Sequence, residues 1–434
     1  MPDCSFAFIR RFHGDTRGAV AVVFGVSALA LVSMIGVALD ASRSYNIKSR
    51  VQNVLDAASL AGARKLALDD ANDGDVTSTA LAYFEAQREE FKVWGAIPGA
   101  PQVSIDRNKS SVTMTVDVAV SSIAGSLSGL LPQINFSPSA TASYDVKRIE
   151  LAMVLDITGS MNWAGGDGKS KLSGLKEAAE DIIKLLANSA PAANFVKVGL
   201  VPYSASVNVG PFHGDVTYET RGDTCVVERD GPDAYNDDPV GAGSHIEVVG
   251  APPPGYYSCP KAEIVPLTDI GTSAGRNFLI DKVKAMSAGG GTAGHIGAAW
   301  GWYMVSPKWS SLWPAASDPK PYGSNVTKAV LLMTDGDFNV AYDNGGELVA
   351  WPNPGATDVN IEGSSPNQAK KLCDNMKAAG VTIYSVAFMA PPAAEALLKD
   401  CSGGGNYYDA ANTHQLKAAF RDIAGKLTSV SISQ

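Results

Sequence analysis

The sequence predicts an α/β fold with a doubly wound, mostly parallel sheet, preceded by a transmembrane helix and a small α+β module. Three features of the chain indicate this fold class. A long uncharged apolar segment lies near the N-terminus, and the middle alternates apolar and polar residues. In the second half, continuous apolar strands alternate with helical segments. The 434 residues, 45% of them hydrophobic, suffice for two or three domains.

Composition and motifs exclude several classes of function. The net charge of −9 argues against a nucleic-acid partner, because phosphate binding requires a basic surface. We find no serine–histidine–acid arrangement and no thiol–histidine pair. The glycine run Gly289–Gly291 lacks the lysine of a phosphate-binding loop. An enzyme is therefore not expected, nor is a small-molecule substrate.

Residues 18–40, GAVAVVFGVSALALVSMIGVALD, carry no charge before Asp40. About 20 helical residues span the ~30 Å hydrocarbon layer of a membrane, and this segment has no polar stripe. A cleaved signal peptide is the alternative, but its apolar region would be only ~7–15 residues long. The pattern favours a retained transmembrane helix at 18–40, with residues 1–17 in the cytoplasm. The flanking charges slightly favour this orientation: Arg10, Arg11 and Arg17 before the span, and Arg43, Lys48 and Arg50 after it.

Residues 41–146 are expected to form an extended helix followed by a small α/β module. Apolar residues recur at helical spacing after the span, at Val51, Val54, Leu55, Ala58 and Ala61. The transmembrane helix is expected to continue as one rod, with two helices broken near Ser42 as the alternative. The stretch PQVSIDRNKSSVTMTVDVAV alternates like a β-hairpin. This part carries no catalytic constellation, so a structural role is predicted.

Residues 147–434 have the strand–helix alternation of a parallel sheet covered on both faces, with an insertion at about 210–268. Ligands of such sheets bind beyond the carboxyl ends of the strands. Polar side chains occur at three such places: Asp156, Thr158 and Ser160 after IELAMVL, Thr292 in GGGTAGHIG, and Asp335 after KAVLLMT. Two carboxylates and three hydroxyls form an all-oxygen set that suits Mg²⁺, with Mn²⁺ or Ca²⁺ as alternatives. The other interpretation of DITGSM is a capped turn, in which Thr158 and Ser160 cap a helix.

Other polar and aromatic features of this part are expected to be structural. The acidic stretch DGPDAYNDDP lacks the order of an EF-hand and is interpreted as a solvated loop. His295 is expected to be a structural histidine rather than a metal ligand. Four tryptophans follow the glycine-rich loop. They are expected to pack in the core and in domain contacts, with a ligand-binding surface as the alternative: Trp300, Trp302, Trp309 and Trp313.

Four of the five cysteines lie in the second half of the chain and form no C-x-x-C pair. An even set in an exported domain favours disulfides, although unpaired core thiols are the alternative. Three connectivities are possible, and we favour pairing between sequence neighbours, Cys225 with Cys259 and Cys373 with Cys401. Cys4, on the predicted cytoplasmic side, is expected to be free.

The order D-x-T-G-S, a distant Thr and a strand-terminal T-D-G resembles the metal-ion-dependent adhesion site of von Willebrand factor type A domains. Asp156, Thr158, Ser160, Thr292 and Asp335 match its five positions, with Thr158 in place of the commoner Ser. The N-terminal RGAVAVVFGVSALALVSMIGVALDASRSYNIKSRVQNVLDAASLAGARKLA is similar to that of TadG-like proteins of the Flp (tight adherence) pilus-assembly system. LVPYSASVNVG and IGAAWGWYMVSPKW also resemble stretches of their A domain.

The resemblance implies a Rossmann-like A domain, a pilin-like module and a non-enzymatic role in pilus assembly. It also implies an inner-membrane anchor, a large periplasmic part and a protein partner from the assembly machinery, bound through Mg²⁺. Related pseudopilins carry Glu at the fifth position after the processed Gly. Val23 stands there after Gly18, so processing is not expected. The alternatives are a surface adhesin that binds host ligands and a structural subunit without a functional metal site.

Overall fold

The computed structural model describes residues 17–68, 71–87, 90–91, 95–107, 111–123, 125, 133–143, 147–190, 193–217, 224–229, 231–241, 244–248, 259–323, 325–342, 348–350 and 363–429. The chain divides into two compact units, Met1–Asp145 and Val146–Gln434. Helices and multi-stranded sheet together confirm a mixed α/β fold. The predictions for Cys4, Arg10 and Arg11 lie outside the described residues.

The first unit begins with helix α1, Arg17–Leu68, which runs for 52 residues without a break at Ser42. The expected continuous rod is therefore confirmed. Among the described residues, one helical segment, Val20–Ala67, is long and apolar enough to cross a membrane. A signal sequence near the N-terminus would pass the same test of length and composition. The apolar side chains of its first part are exposed, as at Phe24.

The second half of α1 packs on the rest of the first unit. Val51, Leu55 and Ala58 are buried together with Phe84 of helix α2, Asp73–Glu85. Two three-stranded antiparallel sheets complete the described part of this unit, in the orders β1-β4-β5 and β2-β3-β6. Their strands are β1 Ala96–Pro98, β2 Gln102–Asp106, β3 Ser111–Thr115, β4 Val118–Ser121, β5 Gln133–Phe136 and β6 Ser139–Ser143. The predicted hairpin is the β2–β3 pair.

Helices and strands alternate in much of the second unit. The helices are α3 Lys171–Ser189, α4 His213–Thr217, α5 Ser273–Ala285, α6 Gly294–Val305, α7 Ser365–Ala378, α8 Pro392–Ser402 and α9 Thr413–Ser429. The strands are β7 Arg148–Asp156, β8 Val196–Tyr203, β9 Val207–Asn208, β10 Cys225–Val226, β11 Val265–Asp269, β12 Val326–Thr334, β13 Ala341–Tyr342, β14 Leu348–Ala350, β15 Thr382–Phe388 and β16 Tyr407–Ala410.

In the described part of this unit, eight strands form one sheet in the order β10-β9-β8-β7-β12-β15-β16, with β11 also paired to β8. The central pairs β8–β7, β7–β12, β12–β15 and β15–β16 are parallel. Every residue of β8 is buried, as are all residues of β7 after Arg148. Strands buried on both faces explain the continuous apolar runs in the sequence.

Helix α6 lies directly on the central strands because two of its glycines have no side chain. A Cβ at Gly301 would lie 2.5 Å from a Val154 methyl, and one at Gly297 would lie 2.8 Å from the Tyr203 ring. These glycines are four residues apart, so they share the helix face that meets the sheet. All residues of α6 are buried. The helix follows the glycine-rich loop that contains Thr292, so its close packing fixes the position of that loop.

The tryptophans that follow the glycine-rich loop are internal, as predicted. Trp300, Trp302, Trp309 and Trp313 are all buried, and Trp309 stacks on Tyr303 with ring centroids 4.2 Å apart.

The acidic stretch is not wholly solvated, and the expectation was wrong at Asp237. This carboxylate is buried and accepts hydrogen bonds from Ser306 at 2.6 Å and Tyr322 at 2.8 Å. Its ammonium partner is Lys308, 2.8 Å away. A buried carboxylate needs such partners, and they attach the insertion to the end of α6.

Both favoured disulfides are present, between Cys225 and Cys259 and between Cys373 and Cys401. The first joins β10 to the segment that precedes β11, so it closes most of the insertion. The second joins α7 to α8.

We expect removal of either disulfide to lower the free energy of unfolding by about 3–4 kcal/mol, because each closes a loop of roughly 30 residues in the unfolded chain. The variants are Cys225→Ala/Cys259→Ala and Cys373→Ala/Cys401→Ala, and the measurement is thermal unfolding of the full chain in detergent. Reductant should lower the melting temperature of the wild type, and a variant lacking both pairs should not respond. Equal melting of oxidised and reduced wild type would contradict the expectation.

Candidate metal centre

The register of three adjacent strands brings the predicted site together. In the parallel pair β7–β12, Leu155 lies opposite Met333. Asp156, the last residue of β7, therefore lies beside Thr334 and Asp335. On its other side, Asp156 pairs with Tyr203, the last residue of β8. Since carboxyl ends of parallel strands share one edge, these polar side chains meet there although 179 positions separate Asp156 from Asp335.

Asp156 is fully buried, although it is the last residue of β7. Its Oδ1 accepts a hydrogen bond from the backbone N–H of Thr158 at 2.8 Å. Its Oδ2 accepts hydrogen bonds from the Thr334 hydroxyl at 2.7 Å and the Tyr203 hydroxyl at 3.3 Å. Burial, and then the nearby Asp335 carboxylate, raise the pKa of Asp156 from 3.8 to about 6, against these hydrogen bonds.

The two hydroxyls of DITGSM do not serve as helix caps. Thr158 precedes a short 3₁₀ helix, Gly159–Asn162, but its side chain makes no capping hydrogen bond. Its hydroxyl lies 3.0 Å from that of Ser160, and Ser160 donates a hydrogen bond of 2.6 Å to Oδ1 of Asp335. The capped-turn interpretation therefore does not describe these side chains, which form a polar cluster with Asp335.

Thr292 lies in the same region. Gly159 donates its N–H to the Gly290 carbonyl at 2.9 Å, so the glycine-rich loop is bonded to the loop after β7. A Cβ built on Gly336 would lie 3.9 Å from the Ser160 hydroxyl and 4.0 Å from the Thr292 hydroxyl. Both hydroxyls thus face one small space beside Asp335, which the missing side chain of Gly336 leaves open. All five predicted side chains lie around this edge of the sheet.

The donor set agrees with a hard cation. Among the described residues, no group of three or more His, Cys, Asp or Glu side chains could hold a metal ion. An ion here would depend on two carboxylates and three hydroxyls, an oxygen-only set that suits Mg²⁺ and not zinc. His295 is not part of this set. It is buried, with Nδ1 2.6 Å from the Ser365 hydroxyl and Nε2 3.2 Å from Glu228, so it has the expected structural role.

Sequence reasoning missed Lys171, the first residue of α3. Its Nζ lies 3.0 Å from Oδ2 of Asp335, and the two side chains are 6% and 0% exposed. The same ammonium donates to the Met389 carbonyl at 3.4 Å, just beyond β15. A lysine in the first turn of a helix is unfavourable for the helix dipole, and no acidic residue shares that turn. That mismatch is the signal that could have identified it.

Two further residues at this edge were not singled out from the sequence. Trp163 is 67% exposed, and its ring lies 6.0 Å from Nζ of Lys171. Trp163 lies only three residues after Ser160 in the sequence, so it provides an exposed aromatic surface next to the site. Asp337 is half-buried, and its Oδ1 has no hydrogen-bond partner in the described part of the chain.

A family model described as "Putative Flp pilus-assembly TadE/G-like" matches residues 18–65. No curated protein matches the chain. Similar solved structures include the pilus adhesin SpaC of Lactobacillus rhamnosus GG, at 14% identity and a TM-score of 0.40, over 77% of this chain and 34% of SpaC. The chain thus spans about a third of SpaC.

The von Willebrand factor domain of the type V pili tip protein Mfa5 of Porphyromonas gingivalis is 14% identical, with a TM-score of 0.40, over 67% of this chain and 98% of that domain. The PilB minor pilin of Streptococcus sanguinis is 12% identical, with a TM-score of 0.39, over 78% of this chain and 79% of PilB. Similarity this low carries no argument about function.

We expect Asp156 to make the stability of the chelator-treated protein depend on pH. Its raised pKa means that the folded state binds more protons than the unfolded state between about pH 4 and pH 6. Its contribution to stability is therefore complete below about pH 4 and is lost as pH rises through about 6. Relative to that of Asp156→Asn, the free energy of unfolding of the wild type should fall by up to about 3 kcal/mol as pH rises across this range. Denaturant unfolding at several pH values measures the difference.

The exposed Asp167, in the loop before α3, offers a matched control for this measurement. Asp167→Asn should follow the wild-type pH profile. If Asp156→Asn also follows it, Asp156 does not titrate in this range.

Proposed function

We propose that the second unit is a von Willebrand factor type A domain whose five oxygen donors hold Mg²⁺, and that it binds a protein partner during assembly of a Flp-type pilus. The doubly wound, Rossmann-like arrangement of such domains is part of this proposal. The observation that carries it is the meeting of Asp156, Ser160 and Asp335 with two further hydroxyls at the carboxyl edge of the central strands. The proposed role is binding and not catalysis.

The two carboxylates and the three hydroxyls would hold the ion, with Asp156 fixed in position by its hydrogen bonds from Thr334 and Tyr203. The bound ion would provide an electrophilic position for a carboxylate of the partner. Trp163 lies beside that position, and exposed tryptophans are frequent anchors of protein interfaces. The site therefore combines a charge-specific contact with an adjacent aromatic surface.

The N-terminal region supports the pilus part of the proposal. The family match at residues 18–65 covers nearly the whole of α1, the apolar segment together with its helical extension. We propose that α1 anchors the protein in the inner membrane by a single pass, with the N-terminus in the cytoplasm and the bulk in the periplasm. Two disulfides in the second unit support an oxidising compartment.

We expect Mg²⁺ to raise the melting temperature of the chelator-treated full chain, because an ion that binds only the folded state stabilises it by mass action. The gain should approach about 3 kcal/mol at a concentration 100 times the dissociation constant. Asp156→Ala should abolish the response, and Thr292→Ala should weaken it, because that change removes a neutral ligand. Thermal unfolding with and without Mg²⁺ measures both.

Asp167→Ala is the control for this titration and should respond like the wild type. A full Mg²⁺ response in Asp156→Ala would defeat the proposed site. Normal insertion and full pilus assembly by Asp156→Ala in cells would instead support the structural-subunit alternative.

We expect a photo-crosslinking residue at position 163 to capture a component of the pilus-assembly machinery in cells. The adduct should disappear in an Asp156→Ala background, because the partner carboxylate then has no ion to bind. Position 185 on α3, where Leu185 is 38% exposed, serves as the control. If the yield of the adduct is unchanged in the Asp156→Ala background, the partner contact at position 163 does not depend on the metal site.

Recovery of the protein on the outer surface of fractionated cells would favour the alternative of a host-binding adhesin.

A further inference from the structure

Lys171 contacts the proposed metal site without being one of its five oxygen donors. Its ammonium is held by the Asp335 carboxylate and the Met389 carbonyl. It lies on α3, whereas Asp335 follows β12 and Met389 follows β15. The lysine thus joins three segments at one edge of the sheet. An ordinary surface lysine would have its charge in water, and this one is almost fully buried.

The two oxygens of Asp335 have different partners. Oδ1 accepts from Ser160 at 2.6 Å and so faces the hydroxyl cluster, while Oδ2 faces Lys171 at 3.0 Å. Lys171 therefore leaves Oδ1 directed at the proposed cation. At the same time it neutralises part of the charge that would attract this cation, because opposite charges at such a distance interact strongly when buried.

We propose that Lys171 is a positioning residue that weakens the hold of the site on a divalent cation and strengthens the hold of the loaded site on an acidic side chain of the partner. This inference rests on the proposed metal-dependent function. With Lys171 in place, the net charge of the loaded site is one unit more positive than that of its carboxylates and ion alone. An anionic group of the partner cancels this additional positive charge. Ion and partner then bind cooperatively, because each reduces the electrostatic cost of the other.

The test compares Mg²⁺ binding to the full chain in detergent by calorimetry, for wild type, Lys171→Met and Lys171→Arg. Lys171→Met is expected to bind Mg²⁺ at least about tenfold more tightly, since one repelling charge is removed from the ion. Lys171→Arg keeps the charge and should stay close to wild type. Lys169→Met removes a lysine two residues away, with a side chain 53% exposed, and serves as the control for charge loss on the surface.

Acetate, with chloride at equal ionic strength as the reference, is the probe for the partner carboxylate. It should tighten Mg²⁺ binding to the wild type and do so less in Lys171→Met. If Lys171→Met does not fold, Lys171→Gln replaces it, because the amide can still donate a hydrogen bond to Asp335. The neutral variant should again bind Mg²⁺ more tightly than the wild type.

The outcomes separate the two proposals. Mg²⁺ binding by the wild type with an equal affinity in Lys171→Met overturns the role of Lys171 and leaves the metal site standing. Absence of Mg²⁺ binding in both proteins overturns the metal site and this inference with it. Tighter binding in Lys171→Met, unchanged binding in Lys169→Met and a reduced acetate effect are the expected result.

Discussion

The buried carboxylate of Asp156 is the constraint on which this edge of the sheet depends. A carboxylate without water must receive hydrogen bonds from the protein, and here the donors come from three segments: Thr158 on its own loop, Tyr203 at the end of β8, and Thr334 at the end of β12. These bonds require the parallel register of β7 with both neighbours. The same register places Asp335 next to Asp156, where its carboxylate accepts a hydrogen bond from Ser160. The contacts that hold Asp156 therefore also position Asp335.

The sequence predicted the parts of the molecule that follow from local pattern. The continuous helix Arg17–Leu68 and the β2–β3 hairpin follow from the periodicity of apolar residues. The two disulfides followed from pairing between sequence neighbours. The convergence of Asp156 with Asp335 was also predictable, because parallel strands must end at a common edge. The metal itself is still a prediction.

Contacts that depend on packing between distant segments could not be predicted in this way. Asp237 looked like one of several solvated acids, but it is buried by Ser306, Tyr322 and Lys308, which come from another part of the chain. Nothing in its local sequence distinguishes it from Asp238, which is exposed. Periodicity alone also did not reveal that Asp156 is inaccessible to water, because a strand-terminal residue is buried only when neighbouring loops cover it.

Lys171 shows how a local conflict can indicate a distant partner. At the first position of α3 its charge opposes the helix dipole, and its burial adds a desolvation cost. A helix start that kept a lysine there without compensation would be destabilised on both counts. The compensation comes from Asp335, 164 residues away. Asp335 is itself buried beside Asp156, and two neighbouring buried carboxylates repel each other. The ammonium thus relieves the repulsion that the folded sheet imposes, at the expense of the attraction that the same carboxylates exert on a cation.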